Sequence, residues 1–265
     1  MGTLEHRIEQ YMVDCPRARI AVMAEGSGPL VVMLPSLGRD SDDFGEVSAG
    51  IAAAGYRVLR PAPRGLRGST GAMDGITLHD LAEDIAAVIE HAGGGPAVIA
   101  GHAFGNWVAR CTGADRPDLV RAVILMAAGQ KGMTTPPIRE AITTSFTTSL
   151  PREQRLAALK FAFFAPGNDP SVWLDGWSKE VALAQRAATA ATLMEDYWPG
   201  GTRPILDLQA ECDVLAPRAG MNKLVEELGN RVTIAVVLNA GHALIPEQPA
   251  LVVKEVLRYL KVQGH

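Results

Sequence analysis

Cysteine is scarce: Cys15, Cys111 and Cys212 are the only three in 265 residues. An odd number with no Cys-x-x-Cys spacing excludes a disulfide framework and argues against a zinc site, so the three read as small buried hydrophobes. Positive charge is not in excess either, with Lys+Arg at 25 against Asp+Glu at 29 and a net charge of -4. The basic residues are scattered and form no stripe that would follow a phosphate backbone, which excludes nucleic acid as the expected partner. No apolar run approaches the roughly 20 residues of a membrane span, and Met1–His6 lacks a basic segment followed by an apolar one. A cytoplasmic protein without membrane partners is expected. There is no G-x-x-x-x-G-K loop, no G-x-G-x-x-G after a strand and no His-rich metal spacing, so neither cofactor nor metal is expected.

What is present is an ordinary globular composition, 48% hydrophobic and 20% charged. At roughly 100–200 residues per domain, the length allows one large α/β domain or one domain with a sizeable insertion. Short apolar runs recur between Gly, Pro or Asp at 30–34, 56–60, 97–100, 122–126, 205–209 and 232–238. They lack polar alternation, as strands of a parallel sheet covered on both faces do. Gly93-Gly94-Gly95-Pro96 reads as a turn into one of them. Helical periodicity lies between the runs, clearest at Thr77–Glu90, where Thr77 and Asp80 have the spacing of a capping box. A second apolar face follows Pro249 through Leu251, Val252, Val256, Leu257 and Leu260. Alternating strand and helix predict a mostly parallel, doubly wound sheet.

The alternation stops between about Thr134 and Gly200, where helical segments at 152–164 and 178–195 follow one another without a convincing strand. This stretch carries eight of the fourteen aromatic residues. It reads as a helical cap, residues 134–200, inserted into a core of 1–133 and 201–265. Most of its aromatics are expected to pack the cap against the core, and Trp173 and Trp177 are taken as substrate contacts.

The run Ala97–Ala100 leads into Gly101-His102-Ala103-Phe104-Gly105 and then a helix, the layout of a G-x-S-x-G nucleophile elbow with Ala103 at its centre. This resembles the α/β-hydrolase superfamily, in its lid-bearing branch, over nearly the whole chain. The resemblance implies an α/β-hydrolase fold with an inserted helical cap. It also implies His242 of Ala240-Gly241-His242 as the base, Asp213 as the acid that orients it, and the Leu37 and Phe104 N–H groups as oxyanion donors. Ser36 falls on the oxyanion loop as a substrate contact. The chain order Ala103, Asp213, His242 is that of nucleophile, acid and base. Asp207 and Glu211 are read as structural carboxylates and His102 as a packing residue. Two departures stand out: Pro35-Ser36-Leu37-Gly38-Arg39 replaces the usual His-Gly, and Ala62-Pro63-Arg64-Gly65-Leu66-Arg67 lacks the acidic residue of Asp-x-Arg-Gly-x-Gly. Neither Ser36, Cys111 nor Cys212 is a convincing replacement nucleophile.

The alanine leaves three readings open. His242 and Asp213 act as a general-base pair on water, in a hydrolase of a small, largely apolar ester or lactone-like substrate. Alternatively, the chain is a conventional serine esterase carrying an engineered Ser-to-Ala change at position 103. In the third reading the protein binds a small molecule without catalysis. The first two rank above the third, because a pure binder has no need of Asp213 and His242 at these positions. A homo-oligomer is compatible with all three.

Overall fold

The largely apolar runs become strands because both faces of the sheet are covered. A computed structural model of the chain describes residues 8–93, 95–129 and 135–264; Met1–His6, Gly94 and the expected core–cap boundary at 133/134 lie outside them. The strands are β1 (Glu9–Cys15), β2 (Ala18–Gly26), β3 (Leu30–Leu34), β4 (Arg57–Pro61), β5 (Thr70–Gly71), β6 (Ala97–His102), β7 (Val120–Met126), β8 (Ile205–Ala210) and β9 (Val232–Val237). The helices are α1 (Gly45–Ala53), α2 (Leu78–His91), α3 (Phe104–Asp115), α4 (Pro136–Phe146), α5 (Arg152–Ala162), α6 (Lys179–Ala190), α7 (Met194–Tyr197), α8 (Lys223–Leu228), α9 (Leu244–Glu247) and α10 (Pro249–Val262). The strand order is β1-β2-β4-β3-β6-β7-β8-β9, with β5 beside β2. Strands β4 through β9 in that order run parallel, and β1 and β2 are antiparallel additions. This is the α/β-hydrolase fold.

Successive residues of β3 show why no alternation is visible. Val31 and Met33 enter one core with Val47 and Ile51 of α1 and Val252 and Val256 of α10. Val32 and Leu34 point the other way, into a core with Leu78, Ile85 and Val88 of α2 and Val108 of α3. The edge strand β9 differs: Thr233 is exposed and Ile234 and Val236 half-buried. Leu238, expected at the end of that run, lies beyond the strand and is 57% exposed. The hairpin β1–β2 escapes a search for apolar runs because Glu9, Gln10, Asp14, Arg19 and Glu25 interrupt it. Cys111 is buried as expected, whereas Cys15 and Cys212 are half-buried.

Between β7 and β8 the described residues contain helices and turns and no strand. The expected helix over 178–195 is broken between α6 and α7. At the break, Thr192 Oγ1 donates to Ala188 O at 2.8 Å and accepts from Leu78 N at 2.9 Å, which satisfies an orphan amide of α2. No helix among the described residues is long and apolar enough to cross a membrane.

The capping box of α2 is formed in both directions: Asp80 N donates to Thr77 Oγ1 at 3.4 Å and Thr77 N to Asp80 Oδ2 at 2.8 Å. Thr77→Ala is expected to cost about 1 kcal/mol. A lowered urea midpoint at unchanged m-value is the measurement, and an unmoved midpoint would contradict the cap's contribution.

Candidate active site

The turn from β6 into α3 is strained where the sequence places the missing nucleophile. Ala103 has φ 48° and ψ −110°, outside the regions a side-chain-bearing residue ordinarily occupies. Its N–H donates to Met126 O at 2.9 Å, and its carbonyl accepts from Asn106 N at 3.1 Å and from the Asn106 side-chain amide. The flanking glycines are required by space. A Cβ on Gly101 would stand 2.2 Å from Gly105 O, and one on Gly105 would stand 2.3 Å from Leu34 O. Phe104, as the first residue of α3, has an N–H without an intrahelical acceptor, at the positive end of the helix dipole. The Leu37 N–H makes no backbone hydrogen bond in turns or loops among the described residues.

Asp213 and His242 follow the ends of β8 and β9. Asp213 Oδ1 accepts from Leu215 N at 2.8 Å and from Ala216 N at 2.9 Å, and Oδ2 meets His242 Nδ1 at 2.9 Å. With a carboxylate as acceptor the ring proton sits on Nδ1, so Nε2 keeps its lone pair. His242 and Asp213 are both buried.

A cavity of about 420 Å³ is lined by Ser36, Leu37, Ala103, Phe104, Trp177 and His242 together. Thus six residues singled out in the sequence share one space, and Asp213 stands behind His242. Trp173 does not line it. The 3₁₀ turn Pro170–Trp173 sends that indole inward to 1% exposure, where it meets Phe163 and Trp177 edge-on at 5.6 and 5.7 Å. Its place in the substrate-contacting set is therefore corrected to a packing residue. Phe163, Trp107, Ile142, Arg139 and Arg186 also line the cavity, and sequence reasoning missed their convergence.

A sequence model of the alpha/beta hydrolase family matches residues 31–255. The chain belongs to that family. It is 24% identical over 270 residues to a 2-(acetamidomethylene)succinate hydrolase of Mesorhizobium japonicum, covering 94% of each chain. A thermophilic esterase from Thermogutta terrifontis has a similar structure, with a TM-score of 0.79 at 19% identity over 97% of this chain and 100% of that one. An esterase from Exiguobacterium antarcticum gives 0.77 at 19% identity over 96% and 100%. At these identities the structural likeness is one of fold.

Around the core of this alpha/beta hydrolase, several polar residues hold the site loops. His102 Nε2 donates to the His242 carbonyl at 2.7 Å. Complete burial, and then the neighbouring His242, push its imidazole down to about 3, so it is a neutral positioning group and no acid or base at neutral pH. Glu247 ties the histidine loop to the helical segment. Oε2 accepts from Gly241 N at 2.7 Å, and Oε1 from Ala165 N and Asn168 Nδ2, each at 2.7 Å. Burial raises the Glu247 carboxyl pKa against these donors. Glu211 is also structural, accepting from Asn239 N at 2.9 Å. Asp207 accepts from Gln209 Nε2 at 2.7 Å, and burial pushes its carboxyl up to about 6.

The loop bearing Leu37 is fastened from the other side. Gly38 N donates to Gln185 Oε1 at 2.7 Å and Gly38 O accepts from Ser178 N at 2.8 Å. Arg39 pairs with Asp43 through Nε at 2.8 Å and Nη2 at 2.5 Å, while Nη1 donates to Asp175 O at 2.5 Å. The departure at Ala62 is offset elsewhere: Arg64 finds its carboxylate on α2, bidentate to Asp84 at 2.7 and 3.0 Å.

Neither Cys111 nor Cys212 reaches the cavity, and burial raises both thiols. One His/Cys/carboxylate group, His79, Cys111 and Asp115, brings its ligand atoms within 4.8 Å of one another. His79 Nδ1 is hydrogen-bonded to Asp115 Oδ2 at 2.8 Å beside a thiol whose pKa burial raises, an arrangement in which metal binding would first have to strip a proton.

Proposed function

We propose that the chain hydrolyses a small, largely apolar ester or lactone-like substrate by general-base catalysis, with residues 134–200 as a cap over a core of 1–133 and 201–265. The observation that carries the reading is the 2.9 Å bond from His242 Nδ1 to Asp213 Oδ2, in a site whose cavity also holds Ala103 and Leu37. A water oxygen attacks the substrate carbonyl carbon while His242 Nε2 takes its proton. The carbonyl electron pair moves onto oxygen, where the Leu37 and Phe104 N–H groups donate to it. The tetrahedral species then collapses, the carbon–oxygen bond to the leaving group breaks, and the proton on Nε2 passes to the departing oxygen. Asp213 stabilises the imidazolium between the two transfers. A methyl at Ala103 offers no oxygen for an acyl-enzyme, so the attack is direct. The hydrolase and esterase names of the relatives agree with this chemistry.

The backbone at Ala103 favours a second reading. Its positive φ is a strained geometry that serves to present a nucleophile, which is what a serine esterase with an engineered Ser-to-Ala change would retain.

Turnover of phenyl acetate and a γ-lactone by the unaltered chain, compared with His242→Ala, tests the proposal. The substitution is expected to lower kcat by about 10²–10⁴. Turnover that survives it would sink the mechanism, and absence of product from both proteins would leave a binding protein.

A further inference from the structure

Among the described residues the buried arginines are held by several acceptors each, carboxylates in some cases and amide or carbonyl oxygens in others. Arg60 has Glu25 at 3.1 Å and Arg64 has Asp84 at 2.7 Å, while Arg155 donates to the carbonyls of Ser145 and Leu174. Arg186 of α6 has a single side-chain acceptor among the described residues and stands on the cavity wall. Its guanidinium is half-buried at the cavity wall, donates from Nη1 to Thr143 Oγ1 at 3.2 Å and lies with Cζ 4.8 Å from the Phe146 ring centroid. Among the described residues no carboxylate lies within ion-pair distance of it, and burial lowers its pKa with no opposing charge to restore it.

The cavity itself supplies no counter-charge. Its charged or ionisable lining groups are Arg139, Arg186 and His242, and none of its described lining residues is Asp or Glu. A guanidinium has five N–H donors in a planar fork suited to a carboxylate, and Thr143 accepts from only one of its nitrogens. Keeping such a cation partly desolvated without an anion is costly, and a ligand carboxylate removes the cost. The remaining wall is apolar, with Trp107, Ile142, Phe163 and Leu215.

We infer that Arg186 is a carboxylate subsite, and that the ligand of this cavity is an apolar small molecule bearing one carboxylate, seated on the guanidinium with its body against the aromatic wall. For a substrate, this rests on the hydrolase reading and narrows it to esters or lactones that carry an acid group. For a ligand, it stands on the cavity alone.

Phenylacetate and its neutral isostere phenylacetamide separate the two claims, because their binding is read by calorimetry without turnover. The unaltered protein is expected to bind phenylacetate about ten- to a hundredfold more tightly than the amide. Arg186→Gln should abolish that preference while leaving phenylacetamide affinity and the melting temperature in place, and Arg186→Lys should keep part of it. Equal binding of the two probes, no binding of either, or a preference that persists in Arg186→Gln would overturn the subsite. A preserved preference in a protein that turns over no ester would instead refute the hydrolase reading and leave the subsite standing.

Discussion

Ala103→Ser is expected to raise hydrolysis of p-nitrophenyl butyrate by at least about a thousandfold, since loss of a nucleophile from an otherwise intact serine hydrolase costs on the order of 10⁶. The backbone already has the geometry: φ at position 103 is 48°, and the glycines on either side admit no Cβ. The added oxygen would enter a cavity that His242 also lines. Proton transfer from Oγ to Nε2 would then allow an acyl-enzyme, and a fluorophosphonate probe should label the variant at residue 103. Adding His242→Ala to Ala103→Ser should remove both labelling and turnover. An Ala103→Ser protein that folds but neither reacts with the probe nor gains activity would mean that imidazole and turn are not in working alignment. Either origin of the alanine is compatible with the gain, so the experiment tests the geometry and not the history of the residue.

The second large effect is on stability in acid. An imidazole in the unfolded chain titrates near 6.5, whereas burial holds His102 neutral down to about 3. Between those values the unfolded state binds one more proton than the native state, so the free energy of unfolding falls as pH falls. The slope from this one group is about 1.4 kcal/mol per pH unit. His102→Gln keeps an amide donor for the His242 carbonyl and removes the titration. Urea denaturation of the two proteins from pH 7 to 4.5 should show the stability gap between them shifting by about 3 kcal/mol in favour of the variant. Parallel profiles would show that His102 takes up its proton in the native state as readily as in the unfolded one. Asp207 works in the opposite sense: its raised carboxyl keeps a proton that the unfolded chain releases, so its contribution is lost as pH rises through about 6.

Much of the sheet was legible because parallel strands buried on both faces write themselves as short apolar runs, as at Leu30–Leu34 and Ala97–Ala100. The turn at Ala103 was legible because two glycines and a strand-to-helix change fall within five residues. The hairpin β1–β2 was not, since exposed Glu9, Gln10, Asp14 and Arg19 and buried Glu25 interrupt its apolar residues. The fastening of the site was also hidden. Gly38 and Gln185 are 147 residues apart, and Ala165 and Glu247 are 82 apart, so no local pattern announces either bond. Trp173 misled for a related reason: composition marks an indole in the helical segment but does not say whether it faces the cavity or the packing beneath it. Arg186 could have been noticed only once its missing carboxylate had a spatial meaning.

The bonds from Gly38 to Gln185, from Arg39 to Asp175, from Ala243 N to Phe163 O at 2.8 Å and from Glu247 to Ala165 give residues 163–185 and the loops bearing Leu37 and His242 common anchors. The helical segment and the loops that line the cavity are therefore expected to loosen together. A substitution between 163 and 185 that loosens this segment is expected also to shift Leu37 and His242, so weakened binding from such a change cannot by itself be read as lost contact with a bound molecule.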